Sequence, residues 1–168
     1  LRDFGAADAT RVNMVLKPFS RKDCVTEGLL LYARPGDEVP LAYWRFEQPF
    51  DVTVVSHPEY AQVVRKLIEA YRVSAVLVSS LIGHSLDILV SGLPAVMVLH
   101  GFFPVCPAIN LHFDGVCRSC DDARLSECAS GNPHFNPFPR FPVVERLEVR
   151  KRILDLMAQR SFVTVTPS

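Results

Sequence analysis

Four of the five cysteines in this sequence lie in one stretch of the chain. Cys106, Cys117, Cys120 and Cys128 form a C-x10-C-x2-C-x7-C series, whereas Cys24 stands apart. Two thiolates separated by two residues can bind one tetrahedral cation, and two further thiolates would complete a structural zinc site. The spacing fits neither common ferredoxin pattern, which favours zinc over an iron–sulfur cluster. Disulfides and plain reduced thiols are the alternatives. The sequence shows no recognisable export signal, which argues against disulfides.

The stretch that contains these cysteines runs from Gly101 to about Arg140 and shows no regular periodicity. A segment of this length without secondary structure needs something to order it, and a bound metal would do so. His112 and His134 are reserve ligands in the same stretch, although each is more typical of an ordinary loop residue.

His100 is the second candidate for chemistry. It follows an apolar run and precedes Gly101. A histidine at the carboxyl end of a buried strand can reach a bound hydroxyl or phosphate, and the neighbouring glycine lets the backbone come close. A packed histidine beside an aromatic core is the alternative, but the position favours function. His84, beside Gly83, could face the same cleft, although solvated loop histidines are common.

Ser85 is a third candidate, because Gly83-His84-Ser85-Leu86-Asp87 nearly matches the nucleophile elbow of α/β hydrolases. Asp87 stands where that motif has a glycine. The His-Gly pair follows the elbow here, whereas the corresponding loop of those enzymes precedes it. We therefore favour the interpretation that Ser85 caps a helix and that Gly83 relaxes the loop before it.

The elements that must position these residues alternate along the chain. This alternation predicts an α/β fold with a parallel sheet and helices on its faces. The predicted order is a helix after Ser56, a strand at Ala75–Ser79, a short helix at Leu86–Ser91, a strand at Ala95–His100, a helix at Val143–Arg160 and a strand at Phe162–Thr166.

Two of the helices carry further expectations. The helix after Ser56 has capping-box spacing between Ser56 and Glu59, with Pro58 in its first turn. The last helix is basic, and we expect its arginines and lysine to face solvent. The residues expected on its buried side are Val143, Val144, Leu147, Ile153, Leu154 and Met157.

The first third of the chain is less regular. Pro35-Gly36-Asp37 predicts a hairpin turn. The strand candidates are Val12–Leu16, Leu29–Ala33, Leu41–Phe46 and Val52–Val55.

Ligands of open parallel sheets lie beyond the carboxyl ends of the strands. Three loops therefore carry the expected site: Ser79–Ser85, His100–Cys106 and Thr166–Ser168.

Composition limits the class of protein. The chain has 168 residues, 49% hydrophobic and 21% charged, with a formal net charge of +0. This is enough to build one core, and it excludes collagen-like and disordered classes. The balanced charge gives no case for a nucleic-acid partner. The most apolar segment, Val73–Phe113, is broken by glycines, serines and a proline, so we expect no membrane-spanning helix.

The segment Pro94–Pro107, PAVMVLHGFFPVCP, resembles the "PvvlTlHDfwxxCP" segment of retaining group 1 (family 4) glycosyltransferases. Downstream, FDGVC at 113–117 and the two cysteines that follow are similar to the family's variant with a Cys-rich loop. The 75–85 region and the final strand resemble further elements of the family. The resemblance covers roughly Pro58 to Ser168.

This resemblance implies the N-terminal, acceptor-side half of a GT-B fold. That half is a Rossmann-like three-layer domain with a mostly parallel sheet, here a single truncated domain over residues 1–168 with a Cys-rich loop at about 101–140. The nucleotide-sugar domain would be absent. The start at Leu1 rather than Met also leads us to expect a fragment, which alone should be inactive.

Members of this family transfer a sugar from a nucleotide-sugar to a glycan, lipid or other acceptor, often in cell-envelope polysaccharide synthesis. His100 matches the cleft histidine that contacts the transferred sugar, and Gly83, His84 and Gly101 are expected substrate contacts. A cytoplasmic location follows, and it is compatible with peripheral contact at the inner membrane face.

Two features depart from the family pattern. Gly101 replaces an aspartate, and no glycine-rich loop is evident after the first strand. The alternatives are a zinc-ordered interaction domain without chemistry on a Rossmann-like core and, third, an α/β hydrolase with Ser85 as nucleophile.

Overall fold

The N-terminal third of the protein folds into an antiparallel sheet. The structure is a computed structural model, and it describes residues 10–20, 24–103, 105–106, 111–118, 120–132 and 141–166. The sheet has the order β1-β2-β3, formed by β1 (Val15–Ser20), β2 (Val25–Tyr32) and β3 (Ala42–Asp51).

The hairpin turn between β2 and β3 is confirmed. The amide of Arg34 donates to the Asp37 carboxylate at 3.0 Å, which closes the turn around Pro35 and Gly36. All three strands extend beyond, or are shifted from, the segments that the sequence predicted. Pairing with a neighbouring strand, which periodicity does not report, decides where each one ends.

Helix α1 (Pro58–Tyr71) packs on this sheet and buries one apolar face. Together they form one of two large hydrophobic clusters, made of Leu29, Leu31, Phe46, Phe50, Tyr60, Val63, Val64 and Leu67. The predicted capping box is wrong. His57 is the N-cap, and its Nδ1 accepts from the Tyr60 amide at 3.2 Å. The Glu59 carboxylate instead accepts from the amides of residues 47 and 48 on β3.

The remaining strands pair in parallel, as predicted for this part of the chain. β5 (Val76–Val78), β7 (Ala95–Val98) and β8 (Val163–Val165) form a sheet with β7 in the centre. β4 (Thr53–Val54) and β6 (His84–Ser85) form a short parallel pair of their own. The chain is therefore a mixed α/β protein in which parallel and antiparallel sheets coexist.

A 3-10 helix (Leu86–Val90) and helix α3 (Val143–Ala158) provide the crossovers that bring β5, β7 and β8 side by side. The 3-10 helix starts at Ser85, as predicted, with the Ser85 hydroxyl accepting from the Asp87 amide. The second large cluster lies between this sheet and α3 and includes Val78, Met97, Val149 and Ile153.

The predicted buried face of α3 is confirmed at Ile153 and in part at Val143 and Leu147, which are half-buried, and it is wrong at the other three positions. Its buried residues are Arg146, Val149, Ile153 and Leu156, whereas Val144, Leu154 and Met157 are exposed. The Arg146 guanidinium, expected in solvent, donates through Nε to the Phe141 carbonyl at 2.8 Å and lies over the Phe141 ring. An arginine can occupy a buried position when a backbone carbonyl accepts from its guanidinium and its flat face packs on an aromatic ring.

The stretch expected to be irregular contains helix α2 (Asp122–Gly131). Asp121 caps it by accepting from the Arg124 amide at 2.8 Å. Residues 104, 107–110, 119 and 133–140 of this stretch, His134 among them, lie outside the described residues. In the described parts of the chain, no helix combines the length and the apolar character that crossing a bilayer requires.

Candidate functional site

A cleft of about 170 Å³ opens at the carboxyl ends of β5 and β7. This is the edge at which the topology places ligands of parallel sheets. Its floor is apolar and includes Leu81 and Met97, while its rim carries Ser79, Ser80, His100 and Gly101. The pocket brings two of the three predicted loops together. In the third loop, Thr166 is described but is not part of the lining, and the last two residues lie outside the described ranges.

The loop after β5 is held in place from below. The Thr53 hydroxyl donates to the Leu81 carbonyl at 2.7 Å, and the Thr26 hydroxyl donates to the Gly83 carbonyl at 3.2 Å. Both threonines are fully buried. The Gly83 amide donates to the Val52 carbonyl. These bonds fix this wall of the cleft to two neighbouring strands.

The loop after β7 places His100 at the mouth of the cleft. The amide of Leu99 donates to the Val165 carbonyl at 2.8 Å, which extends the sheet pairing up to the residue before the histidine. A turn closed by bonds from the amides of residues 105 and 106 to the Phe102 carbonyl then redirects the chain. The His100 side chain is exposed, and no side chain in the described residues hydrogen-bonds to its ring nitrogens.

The size and lining of the cleft define what it can hold. Pockets that enclose drug-sized ligands have about 300–1,000 Å³, so this space suits one small group rather than a whole nucleotide-sugar. An apolar floor can pack against the C–H face of a ring, and the imidazole and the two serine hydroxyls can bind its polar substituents. The cleft thus combines one titratable group with weakly polar partners.

Gly83 and His84 do not line this cleft. Gly83 packs against Pro18 and Thr26, where an added Cβ would lie 2.5 Å from the Pro18 ring. The Tyr60 hydroxyl and His84 Nδ1 are 2.9 Å apart, beneath the antiparallel sheet. Burial lowers the pKa of His84 to about 4 and raises that of Tyr60, so two neutral side chains share this hydrogen bond. In the structure, Gly83 and His84 thus pack and form hydrogen bonds away from the cleft.

Ser85 does not have the surroundings of a nucleophile. It is fully buried, and its hydroxyl donates to the Asp87 carboxylate at 2.7 Å. His84 beside it is bonded to Tyr60. Serine nucleophiles need an exposed oxygen and a histidine base, and this serine instead caps the 3-10 helix.

The sequence analysis missed the polar cluster around Asp87. The carboxylate accepts from the Ser56 hydroxyl at 3.0 Å and from the His57 amide at 2.8 Å, in addition to Ser85. His57 is buried, and its Nε2 lies 2.7 Å from the Gln48 carbonyl. Since a carbonyl can only accept, Nε2 donates to it, while Nδ1 accepts from the Tyr60 amide. The signal that the sequence offered for this cluster was the set of polar residues Ser56, Ser85 and Asp87 near strand ends.

The four clustered cysteines are all described, and all are free thiols. Cys106 and Cys128 are buried together, while Cys117 and Cys120 are half-buried. Within the described ranges, no three His, Cys, Asp or Glu side chains stand in an arrangement that could hold a metal ion as they are.

No known protein family matches this chain, and neither does any curated protein or solved structure. Its function must therefore be inferred from its own residues and geometry.

Proposed function

We propose that this chain is the acceptor-side domain of a glycosyltransferase that uses a nucleotide-sugar donor. The cleft at the end of β7 would bind the transferred sugar or its acceptor. The acceptor class that the resemblance favours is a glycan or lipid of the cell envelope. The nucleotide would bind chiefly in a second domain, and transfer would require both.

The parallel sheet supports the fold part of this proposal. β5, β7 and β8 pair in parallel with a helical crossover on each side of β7, which is the unit from which Rossmann-like domains are built. The antiparallel sheet and α1 would then be an elaboration beside the parallel core of a three-layer domain. Such domains bind ligands at the carboxyl edge, where the cleft lies.

The functional part of the proposal rests on His100. Its exposed imidazole follows the central strand of the parallel sheet and borders a cleft with an apolar floor. A neutral imidazole can donate to one sugar hydroxyl or accept from another. As the bond between the anomeric carbon and the phosphate oxygen breaks, charge develops on both fragments. A preplaced polar group at the sugar can stabilise that change.

Replacing His100 with alanine tests the proposal directly. We expect the wild-type chain to show chemical-shift changes at residues 79–82 and 97–101 on titration with monosaccharides and with UDP- and GDP-sugars. His100→Ala should weaken binding about five- to tenfold, because one hydrogen bond of about 1–1.5 kcal/mol is lost. NMR titration of the isotope-labelled chain measures both effects.

Asp155→Ala is the control, because Asp155 is exposed on α3 and lies outside the cleft lining. It should bind the same sugars as the wild type. A wild-type chain that shows no shift at the cleft with any of these compounds would overturn the proposal. So would equal binding by wild type and His100→Ala.

A further inference from the structure

Two of the cysteines form the centre of a small hydrophobic cluster that is separate from both large ones. Cys106 and Cys128 are buried there, and Leu111 and Phe113 pack against them. Cys128 lies on α2, whereas Cys106 follows the cleft loop. The cluster thus joins residues that are 22 positions apart in the chain.

Cys117 is positioned by a tight turn beside this cluster. His112 and Val116 form an isolated antiparallel bridge, and the Cys117 amide donates to the Leu111 carbonyl at 2.7 Å. Gly115 has a φ of 134°, a conformation that an L side chain rarely adopts. The turn returns the chain to Leu111, which itself contacts the buried cysteines.

Cys120 is held by helix α3. The Arg150 guanidinium lies 3.5 Å from the Cys120 sulfur and also donates to the Cys120 carbonyl. Cys120 directly precedes Asp121, the N-cap of α2, and Cys128 lies on that same helix. Helix α2 therefore connects the third and fourth cysteines of the series.

Hydrogen-bond donors are directed at the sulfur atoms. Besides Arg150 at Cys120, the Asn132 side-chain amide donates to the Cys128 sulfur at 3.4 Å and to the His112 carbonyl at 2.9 Å. A neutral thiol is a weak acceptor, whereas a metal-bound thiolate is a strong one and carries negative charge. A cationic group and an amide at the sulfurs therefore fit thiolates better than thiols.

Cys24, the fifth cysteine of the sequence, lies apart from this neighbourhood and packs beside the parallel-sheet core.

We propose that Cys106, Cys117, Cys120 and Cys128 together bind one structural zinc ion. Zinc would draw the four sulfurs into a tetrahedron, and Arg150 and Asn132 would offset the charge of the thiolates. The site would fix the stretch between β7 and α3 and so hold the loop that carries His100. The small hydrophobic cluster of Cys106, Cys128, Leu111 and Phe113 would gain the metal–sulfur bonds of such a site.

The metal content of the purified protein tests this proposal. We expect about one zinc per chain in protein prepared without added metal, measured by mass spectrometry of the elements. Cys117→Ser and Cys128→Ser should each lose most of the zinc. Cys24→Ser is the matched control, because it removes the fifth thiol away from the cluster, and it should retain the full content.

A second measurement keeps the test valid if the serine variants fail to fold. The wild-type chain loaded with Co²⁺ in place of zinc should show the intense visible bands of tetrahedral cobalt together with sulfur-to-cobalt charge transfer. A chelator should remove these bands and lower the unfolding temperature of the wild type. Less than about one tenth of a metal ion per chain, or iron or a disulfide in place of zinc, would overturn the proposal.

Sugar binding and metal content are separate measurements. A chain that binds zinc without binding sugars would retain this proposal and reject the glycosyltransferase function. The opposite result would reject the zinc site alone.

Discussion

His84 is a histidine whose environment works against protonation. It lies on β6 with its Nδ1 bonded to the Tyr60 hydroxyl, and burial is the cause of its lowered pKa. A second proton would place a positive charge on a ring that is shielded from water. Folding therefore favours the neutral ring.

Stability should fall with acid through this residue. The pKa of His84 is about 4 in the folded chain and has an ordinary value of 6.5, so the unfolded chain binds more protons between these values. The contribution is complete above about pH 6.5, is lost as the pH falls toward 4, and does not change further below that. We expect a loss of about 3 kcal/mol from this group.

Urea unfolding of wild type and His84→Gln between about pH 7 and pH 4 measures this contribution. The glutamine variant should show a shallower loss, because it lacks the titrating ring. Parallel curves for wild type and His84→Gln would contradict the prediction.

For single residues, the sequence predicted the place in a strand or helix better than it predicted the groups that surround the side chain. The strand-end place of His100 followed from an apolar run and a glycine, and the structure has it there. The buried Arg146 and the role of His57 could not be predicted. Both depend on groups distant in the chain or on carbonyls whose direction only the folded backbone sets. A helical pattern assigns a basic residue to the exposed face, because the pattern does not show the distant group that accepts its hydrogen bond.

At the scale of elements, the loop between β5 and β6 depends on Gly83. Its φ is +81°, and a Cβ there would overlap the Pro18 ring at 2.5 Å on β1. Gly92, after the 3-10 helix, has a similar φ of +85° but no atom within 4 Å of the same position. The two glycines thus share a conformational requirement and differ in the space around them.

Gly83→Ala and Gly92→Ala form a matched pair. Each should cost about 1 kcal/mol for the positive φ, and Gly83→Ala should cost about 1–3 kcal/mol more for the overlap with Pro18. Denaturant unfolding of both variants measures the difference. Equal losses would show that Pro18 moves away without cost and that β1 does not fix this loop.

The sequence predicted whether a segment forms a helix or a strand better than it predicted which side of that helix is buried. Alternating apolar runs and helical patterns gave the parallel strands and α3, because these signals are local. The N-cap of α1 was misplaced by one residue, since Ser56 bonds to Asp87 rather than to its own helix. Helix α2 was missed because it has few apolar residues, which gives its sequence a weak helical periodicity.

At the scale of the whole molecule, two large cores share one chain. One lies between the antiparallel sheet and α1, and the other between the parallel sheet and α3. Ile88 of the 3-10 helix packs against both. The Asp87 carboxylate beside it bonds to Ser56 and the His57 amide, which begin α1. The 3-10 helix therefore joins the two cores.

Asp87→Asn should weaken this junction. The amide can keep one acceptor but loses the charge and the second oxygen, so we expect a loss of about 2–3 kcal/mol in unfolding free energy. Asp155→Asn on the exposed side of α3 is the control and should change stability by less than about 0.5 kcal/mol. Equilibrium unfolding in urea compares the two. A change in Asp87→Asn as small as in the control would contradict the role of the junction.

The floor of the cleft belongs to the core of the protein. Leu81 and Met97 are nearly inaccessible and pack within the cluster that supports the parallel sheet, yet both line the pocket. Substituting either would change binding and folding stability together. Substitutions that change the ligand are therefore tolerated best at the rim and least at the floor. The rim residues are Ser79, Ser80, His100 and Gly101. Relatives with other specificities should differ at these four positions and keep the floor.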